Sequence, residues 1–255
     1  PVEQDMNTLH LTNVVPVLDH GFVKLRNLAG PTRRVDFYAW ENGEGRAFDA
    51  DDTDVANAAR LSFEGQDQER TYATEMKLTR YLMENAHMTP FESVVVWLEL
   101  KLPIFVARQL VRQRTQSLNE ASARYITLPA EWYIPEVVGG KAASKKQGQE
   151  DNLDEATQRL FKDQLNKACA HNYGSYLAFI DAGVAPEHAR MFLHVNHYTH
   201  WMTTMNLRNL FMSFLVLRDH SHAQIETQQY ARATIALLEP HLPGLMAMYT
   251  ELLRK

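Results

Sequence analysis

The sequence predicts a mixed α/β chain, and three stretches carry that reading. ESVVVWLELKL is rich in β-branched and aromatic residues and reads as a strand from about Ser93 to Leu102. RTYATEMKLTRYLMENA (70–86) repeats apolar residues at steps of three and four, the period of a helix buried along one side. From Leu153 onward the chain reads as mostly helical. A chain of 255 residues hides roughly 70–75% of its unfolded surface and needs neither disulfides nor metals to fold.

The elements follow in order. Residues 10–40 read as extended, with turn signals at Pro16 and at Asp19–Gly21. ENGEGRAFDADDT (41–53) reads as a surface loop. A helix follows, capped by Asp51, Asp52 or Thr53 and containing Val55, Ala58, Ala59 and Leu61, so the acidic run there is expected to cap a helix and not to bind a cation. Pro90 marks a break. Pro103 opens IFVARQLVRQRTQS, which again has helical spacing. GGKAASKKQGQEDN (139–152) reads as an exposed loop; Ala142 stands where a phosphate loop needs Ser or Thr. Pro186 suits a first helical position, and Pro240 and Pro243 break the last helix. One domain is expected to span 1–255, with N-terminal strands and a loop over 1–54.

Composition excludes several classes. The net charge of −5 argues against a nucleic-acid partner. No apolar run approaches the roughly 18 residues of a membrane span, and PVEQDMNTLHLTN lacks a signal pattern. The single cysteine, Cys169, allows no intrachain disulfide and suits a reducing compartment, so the expected location is cytoplasmic. Cys169 itself reads as a small core residue, and the methionines of 202–212 as core filler. His194, His197 and His200 read as one polar helix face, and no metal is expected.

Charge is concentrated in one place. Arg108, Arg112, Arg114 and Arg124 fall within RQLVRQRTQSLNEASAR, and guanidinium forks match phosphate or carboxylate. If 104–116 is helical, Arg108 and Arg112 lie one turn apart and Arg114 points nearly opposite Arg112. Glu120, Ser122 and Arg124 recur every second residue, so an extended chain would line all three on one face for a small polar ligand such as a nucleotide. The alternative is a solvated charged face with an internal Glu120–Arg124 pair, and spacing alone leaves the two readings even.

RQRTQSLNEASARY (112–125) resembles the signature of flavin-dependent thymidylate synthases, R-H-R-x-x-S-x-N-E-x-S-x-R, with Gln113 in place of the usual His. AARLSF (58–63), HMTPFES (87–93), PIFVARQ (103–109), NLRNL (206–210) and LRDHSHAQIETQQYA (217–231) look like further family blocks in the family's order. The resemblance implies helices packed on a mostly antiparallel sheet, in a homotetramer whose active sites are shared between subunits. It implies reductive methylation of dUMP to dTMP, with methylenetetrahydrofolate as carbon donor and FAD reduced by NADPH as hydride source. By motif position Gln109, Arg112, Glu120, Ser122, Arg124, Arg190 and Arg218 would bind dUMP. Arg218 would also act catalytically, stabilising charge at the N3–O4 edge of the uracil. Ser62, His87, Thr89, Arg112, Gln113, Arg114, Glu120, Asn206 and Arg208 would lie on the flavin side.

Two departures stand out. Gln113 cannot carry charge, although it can still hydrogen-bond. Between Arg208 and Arg218 the chain is one residue longer than the family pattern, an insertion that predicts a π-bulge. The extra residue leaves Met212 and Ser213 as alternatives for the flavin-contacting position, with Ser213 preferred for its hydroxyl. Rival functions are the same chemistry on another pyrimidine nucleotide such as UMP, and a nucleotide-binding module without catalysis.

Overall fold

In the computed structural model, residues 13–31, 50–62, 70–141 and 149–254 are described. Their centre is a five-stranded antiparallel sheet of order β1-β2-β3-β7-β4, built from Val14–Val17 (β1), Gly21–Ala29 (β2), Val95–Pro103 (β3), Ser117–Glu120 (β4) and Tyr198–Asn206 (β7). Gly139–Lys141 (β5) and Gln149–Asn152 (β6) form a separate hairpin. The ends of the predicted 139–152 loop are therefore paired strands, and 142–148 lie outside the described residues.

Alternation fixes how the sheet faces its core. Val96, Leu98, Leu100 and Leu102 of β3 are fully buried and alternate with half-buried Val95, Trp97, Glu99 and Lys101. In β7 the residues opposite them, Met205, Thr203, Trp201 and Thr199, are buried too. Helix α7 (Ile225–Leu238) packs on β1 and β2, and its Tyr230 hydroxyl donates to the Lys101 carbonyl at 2.7 Å. Gly21 is required beneath that ring. A β-carbon there would lie 2.7 Å from the Lys101 carbonyl oxygen and closer still to the Tyr230 hydroxyl.

Residues 153–254 are mostly helical, as the sequence predicts, and β7 is the exception. It pairs with β3 over nine positions, from Val95↔Asn206 to Pro103↔Tyr198, and carries edge strand β4 on its other side. The three histidines therefore share no helix face. His194 precedes the strand and hydrogen-bonds Asn172 at 2.7 Å, His197 stacks on Tyr173, and His200 pairs with Glu99 at 2.7 Å.

The other helices are Asp54–Arg60 (α1), Tyr72–Glu84 (α2), Ile104–Leu110 (α3), Glu155–Asp181 (α4), Pro186–Ala189 (α5), Leu207–Asn209 (α6) and Pro243–Met248 (α8). Pro186 opens α5 as expected, and α7 stops before Pro240; Pro243, expected to break a helix, instead opens α8. Cys169 is buried in α4. Of the methionines of 202–212, Met205 is buried but Met212 is exposed.

The acidic run works differently from its expectation. Asp52 is buried and caps a helix distant in sequence: its carboxylate accepts the Gly244 and Leu245 N–H groups at 2.7 and 2.9 Å, at the start of α8, and the Tyr72 hydroxyl at 2.7 Å. Ala50 is buried as well, so 50–53 is not a surface loop; 41–49 lie outside the described residues. Thr53 occupies the N-cap position of α1 without a capping hydrogen bond from its side chain, and Leu61, just past the end of α1, is exposed.

Candidate active site

The arginine segment begins at the C-terminus of α3. The predicted helix over 104–116 ends at Leu110, because the next residues fold back on it. Gln113 N–H and the Gln116 side-chain amide both donate to the Leu110 carbonyl at 3.0 Å, while Gln116 Oε1 accepts the Thr203 hydroxyl of β7 at 2.8 Å. Arg112 and Arg114 thus stand on turns and not one helical turn from Arg108. Arg108, Arg112, Arg114 and Arg190 are all exposed, and none has a carboxylate partner among the described residues.

The expected alternation of Glu120, Ser122 and Arg124 also breaks. Glu120 ends β4 and accepts the Thr199 hydroxyl. The chain then turns: Ser122 Oγ accepts the Arg124 N–H at 3.3 Å, and its carbonyl accepts the N–H groups of Tyr125 and Ile126. Arg124 pairs with Glu187 of α5 at 3.5 Å, so the alternative Glu120–Arg124 pair is not formed. This ion pair brings Arg124 to the segment that carries Arg190, three residues beyond Glu187.

A second group gathers at the end of β7. Asn206 Oδ1 caps α6 by accepting the Asn209 N–H at 2.9 Å. Arg208 pairs with Glu92 in the 3₁₀ turn Thr89–Ser93, and Leu207 N–H donates to the Val94 carbonyl at 2.8 Å. Gln113 joins from the arginine segment. It is buried, and its amide donates to the Thr115 hydroxyl at 2.9 Å and the Asn209 carbonyl at 3.3 Å. Thr89, Gln113, Arg114, Asn206 and Arg208 are thereby collected on one set of contacting turns. His87 enters from α2, whose last turn closes through Ala86 in the left-handed region (φ 56°) and a His87 N–H to Leu82 carbonyl bond of 2.8 Å. Ser62 lies exposed just beyond α1 and approaches this group only through the packing of α1 on the 3₁₀ turn.

Arg218 is the electrostatic anomaly. Its guanidinium is buried yet has no carboxylate partner among the described residues; it donates to the carbonyls of Gln109 (3.1 Å), Ser213 (3.0 Å) and Phe214 (3.4 Å) and lies over the Phe214 ring. Its Nε has no hydrogen-bond partner among the described residues. Burial alone pulls its pKa down to about 10. The expected π-bulge is present as the π-turn Leu210–Leu215, and its last turn supplies two of the three carbonyls. Met212 is exposed and Ser213 half-buried. Gln109 completes the cradle: its side chain bridges Gln224 and Thr227 at the start of α7.

Such an arrangement can do two things. A buried guanidinium with no carboxylate partner among the described residues can stabilise an anion developing beside it. Exposed arginines such as Arg112 and Arg114 offer donors suited to phosphate. Among the described residues no cluster of three or more His, Cys, Asp or Glu is arranged to hold a metal. β7, which sequence reasoning missed, carries Thr199, Thr203 and Asn206; its signal is the density of β-forming Tyr, Thr and Trp in YTHWMTTMN.

Comparison with known proteins identifies the family. Residues 46–244 match the family described as thymidylate synthase complementing protein. A flavin-dependent thymidylate synthase of Thermus thermophilus is 39% identical over 239 residues, 93% of this chain and 78% of that protein. The one from Kosmotoga olearia is 36% identical over 233 residues, covering 90% of each. Among solved structures, a UMP/dUMP methylase, PolB from Streptomyces cacaoi, bound with 5-Br dUMP superposes with a TM-score of 0.77 at 26% identity, covering 94% of this chain and 99% of that one. The same methylase bound with 5-Br UMP gives 0.75.

Proposed function

This chain belongs to the flavin-dependent thymidylate synthase family, and on that premise we propose that it methylates dUMP to dTMP, taking the carbon from methylenetetrahydrofolate and the hydride from NADPH through FAD. The observation that carries the reading is Arg218, a buried cation whose partners among the described residues are backbone carbonyls and the Phe214 ring, at the position to which the sequence resemblance assigns the catalytic arginine. Carbon 5 of uracil becomes nucleophilic as N3 ionises. Arg218 stabilises that charge through donors whose desolvation has already been met in folding. Gln109 fixes the direction of the guanidinium through its carbonyl.

Arg112, Arg124 and Arg190, with Glu120 and Ser122, take the nucleotide. For Arg124 this means exchanging Glu187 for phosphate, an inexpensive step for an exposed ion pair. When bound, FAD supplies the hydride chemistry. Ser62, His87, Thr89, Arg112, Gln113, Arg114, Glu120, Asn206, Arg208 and Ser213 hold it. Gln113 serves by tying Thr115 to Asn209, which joins the turn that carries Arg114 to the one that carries Arg208.

Sites shared within a homotetramer explain two further features. Exposed Arg112, Arg114 and Arg190 lack counter-ions within the described residues of one chain. The 27-residue helix α4 buries only Cys169 and Tyr176 while exposing Leu160, Phe161 and Phe179. No helix among the described residues is long and apolar enough to cross a membrane, and we place the enzyme in the cytoplasm with small-molecule partners, dUMP and folate.

The methylase PolB, named for both UMP and dUMP, favours a second reading in which UMP is also a substrate. Turnover of the flavin-loaded protein with methylenetetrahydrofolate, NADPH and either dUMP or UMP decides between them. We expect dTMP from dUMP at least about tenfold faster than methylation of UMP. Preference for UMP would establish the second reading, and binding without turnover of either nucleotide would leave a non-catalytic module.

A further inference from the structure

Asp219 follows Arg218 in the chain and is held by a device that the chemistry above does not use. Its side chain is wholly buried and takes two guanidinium groups: Arg232 of α7 at 3.3 Å and Arg254 at 2.8 Å. Arg254 follows the C-terminal π-turn Tyr249–Leu253 and lies beyond residue 244, where the family match ends. The same turn reaches the Arg218 cradle from a second direction. Tyr249 is fully buried and stacks on Phe211 (5.6 Å between ring centres, 27° between planes). Phe211 belongs to the π-turn whose Ser213 and Phe214 carbonyls accept Arg218. At its outer side the tail is tied to α2 by the Arg80–Glu251 pair, with contacts of 2.5 and 2.8 Å.

We propose that the C-terminal turn Tyr249–Arg254 is a positioning element for Arg218, acting through Asp219 and Phe211; this rests on the reading of Arg218 as the group that meets the uracil. Among the described residues Arg218 has no carboxylate to aim it. Its direction is set by the Gln109 carbonyl of α3 and by the Ser213 and Phe214 carbonyls of the π-turn, so two of its three supports are only as fixed as residues 210–219. Asp219 ties the far end of that segment to α7 and to the tail. A buried carboxylate with two cations is rigidly held, and removing one cation leaves it half-compensated. A misplacement of order 1 Å at a reacting group costs up to about 10²-fold in rate.

The test compares Arg254→Ala, Arg254→Lys and Glu251→Gln with the wild type in the flavin-loaded enzyme. Glu251→Gln loosens the outer tie and leaves Asp219 its two cations. We expect Arg254→Ala to lower kcat about tenfold with KM for dUMP within about threefold, Arg254→Lys to restore most of kcat, and Glu251→Gln to change neither. Deuterium exchange over 210–219 in flavin-free protein should quicken in Arg254→Ala alone. Unchanged kcat and exchange in Arg254→Ala would overturn the proposal, as would equal losses in Glu251→Gln that track the melting temperature. A wild type that makes no dTMP refutes the reading of the site instead, and the exchange comparison then decides on its own whether the tail holds this segment.

Discussion

Replacing Arg218 with methionine separates the two accounts of this residue, catalytic group or structural strut. Burial lowers its pKa to about 10, and at roughly 1.36 kcal/mol for each tenfold change in proton affinity this puts the cost of keeping it charged near neutral pH at about 3 kcal/mol. The unfolded chain holds the proton more tightly, so folding is opposed below pH 10 and the opposition fades as pH rises above 10. Methionine removes that cost. It also removes hydrogen bonds to the Gln109, Ser213 and Phe214 carbonyls, worth at least about 1.5 kcal/mol each for a charged donor. At that value the loss exceeds the gain by about 1–2 kcal/mol, so the melting temperature should fall by less than about 8 °C, given roughly 2–4 °C per kcal/mol for a chain this size. Methylation should fall by about 10²–10³, the usual effect of removing one donor aimed at developing charge. Calorimetry and steady-state turnover check the two halves. A drop of more than about 10 °C would make Arg218 a strut, and unchanged kcat/KM would remove it from the chemistry.

Other substitutions probe the rest of the frame. Gln113→His should keep kcat/KM within about threefold and cost about 1 kcal/mol of stability, because one of the two amide donations, to Thr115 or to Asn209, survives; a folded but inactive protein would contradict this. Asp52→Ala removes two capping N–H partners at α8 and the Tyr72 hydroxyl bond. It should cost about 2–3 kcal/mol in denaturant melts and leave flavin affinity alone. Asp52 holds the Tyr72 pKa at about 12, so native stability should decline as pH climbs from 10 toward 12, and phenolate absorbance should appear near pH 10 in Asp52→Ala. Cys169 is buried, with its thiol pKa pushed up by desolvation. Cys169→Ala should retain full turnover, whereas loss of activity in a folded variant would point to a cysteine nucleophile.

Local pattern makes much of this molecule legible. The β-branched run of β3, the helical period of α2 and the proline opening α5 act within a few residues, and each lies where its local chemistry puts it. The length difference between Arg208 and Arg218 foretells the π-turn because a helix absorbs one extra residue in few ways. β7 escapes such a reading because its identity comes from partners about a hundred residues away in β3. The Asp52 cap escapes it for the same reason: a carboxylate near one helix serves another 192 positions on. At the site, the motif locates the arginines but not their company. Whether Arg124 finds Glu120 or Glu187 depends on a turn at Ser122, and the isolation of Arg218 from the carboxylates of the described residues is a property of packing, not of spacing.

The flavin absorption spectrum, recorded while dUMP is titrated into protein loaded with FAD and desalted, tests the central claim most directly. If one site holds both ligands, as the proposed function requires, flavin bands survive desalting and shift saturably with dUMP, and the shift is lost in Arg124→Ala. A colourless protein, or a bound flavin whose bands ignore dUMP, would contradict a shared site and with it the methylation of dUMP.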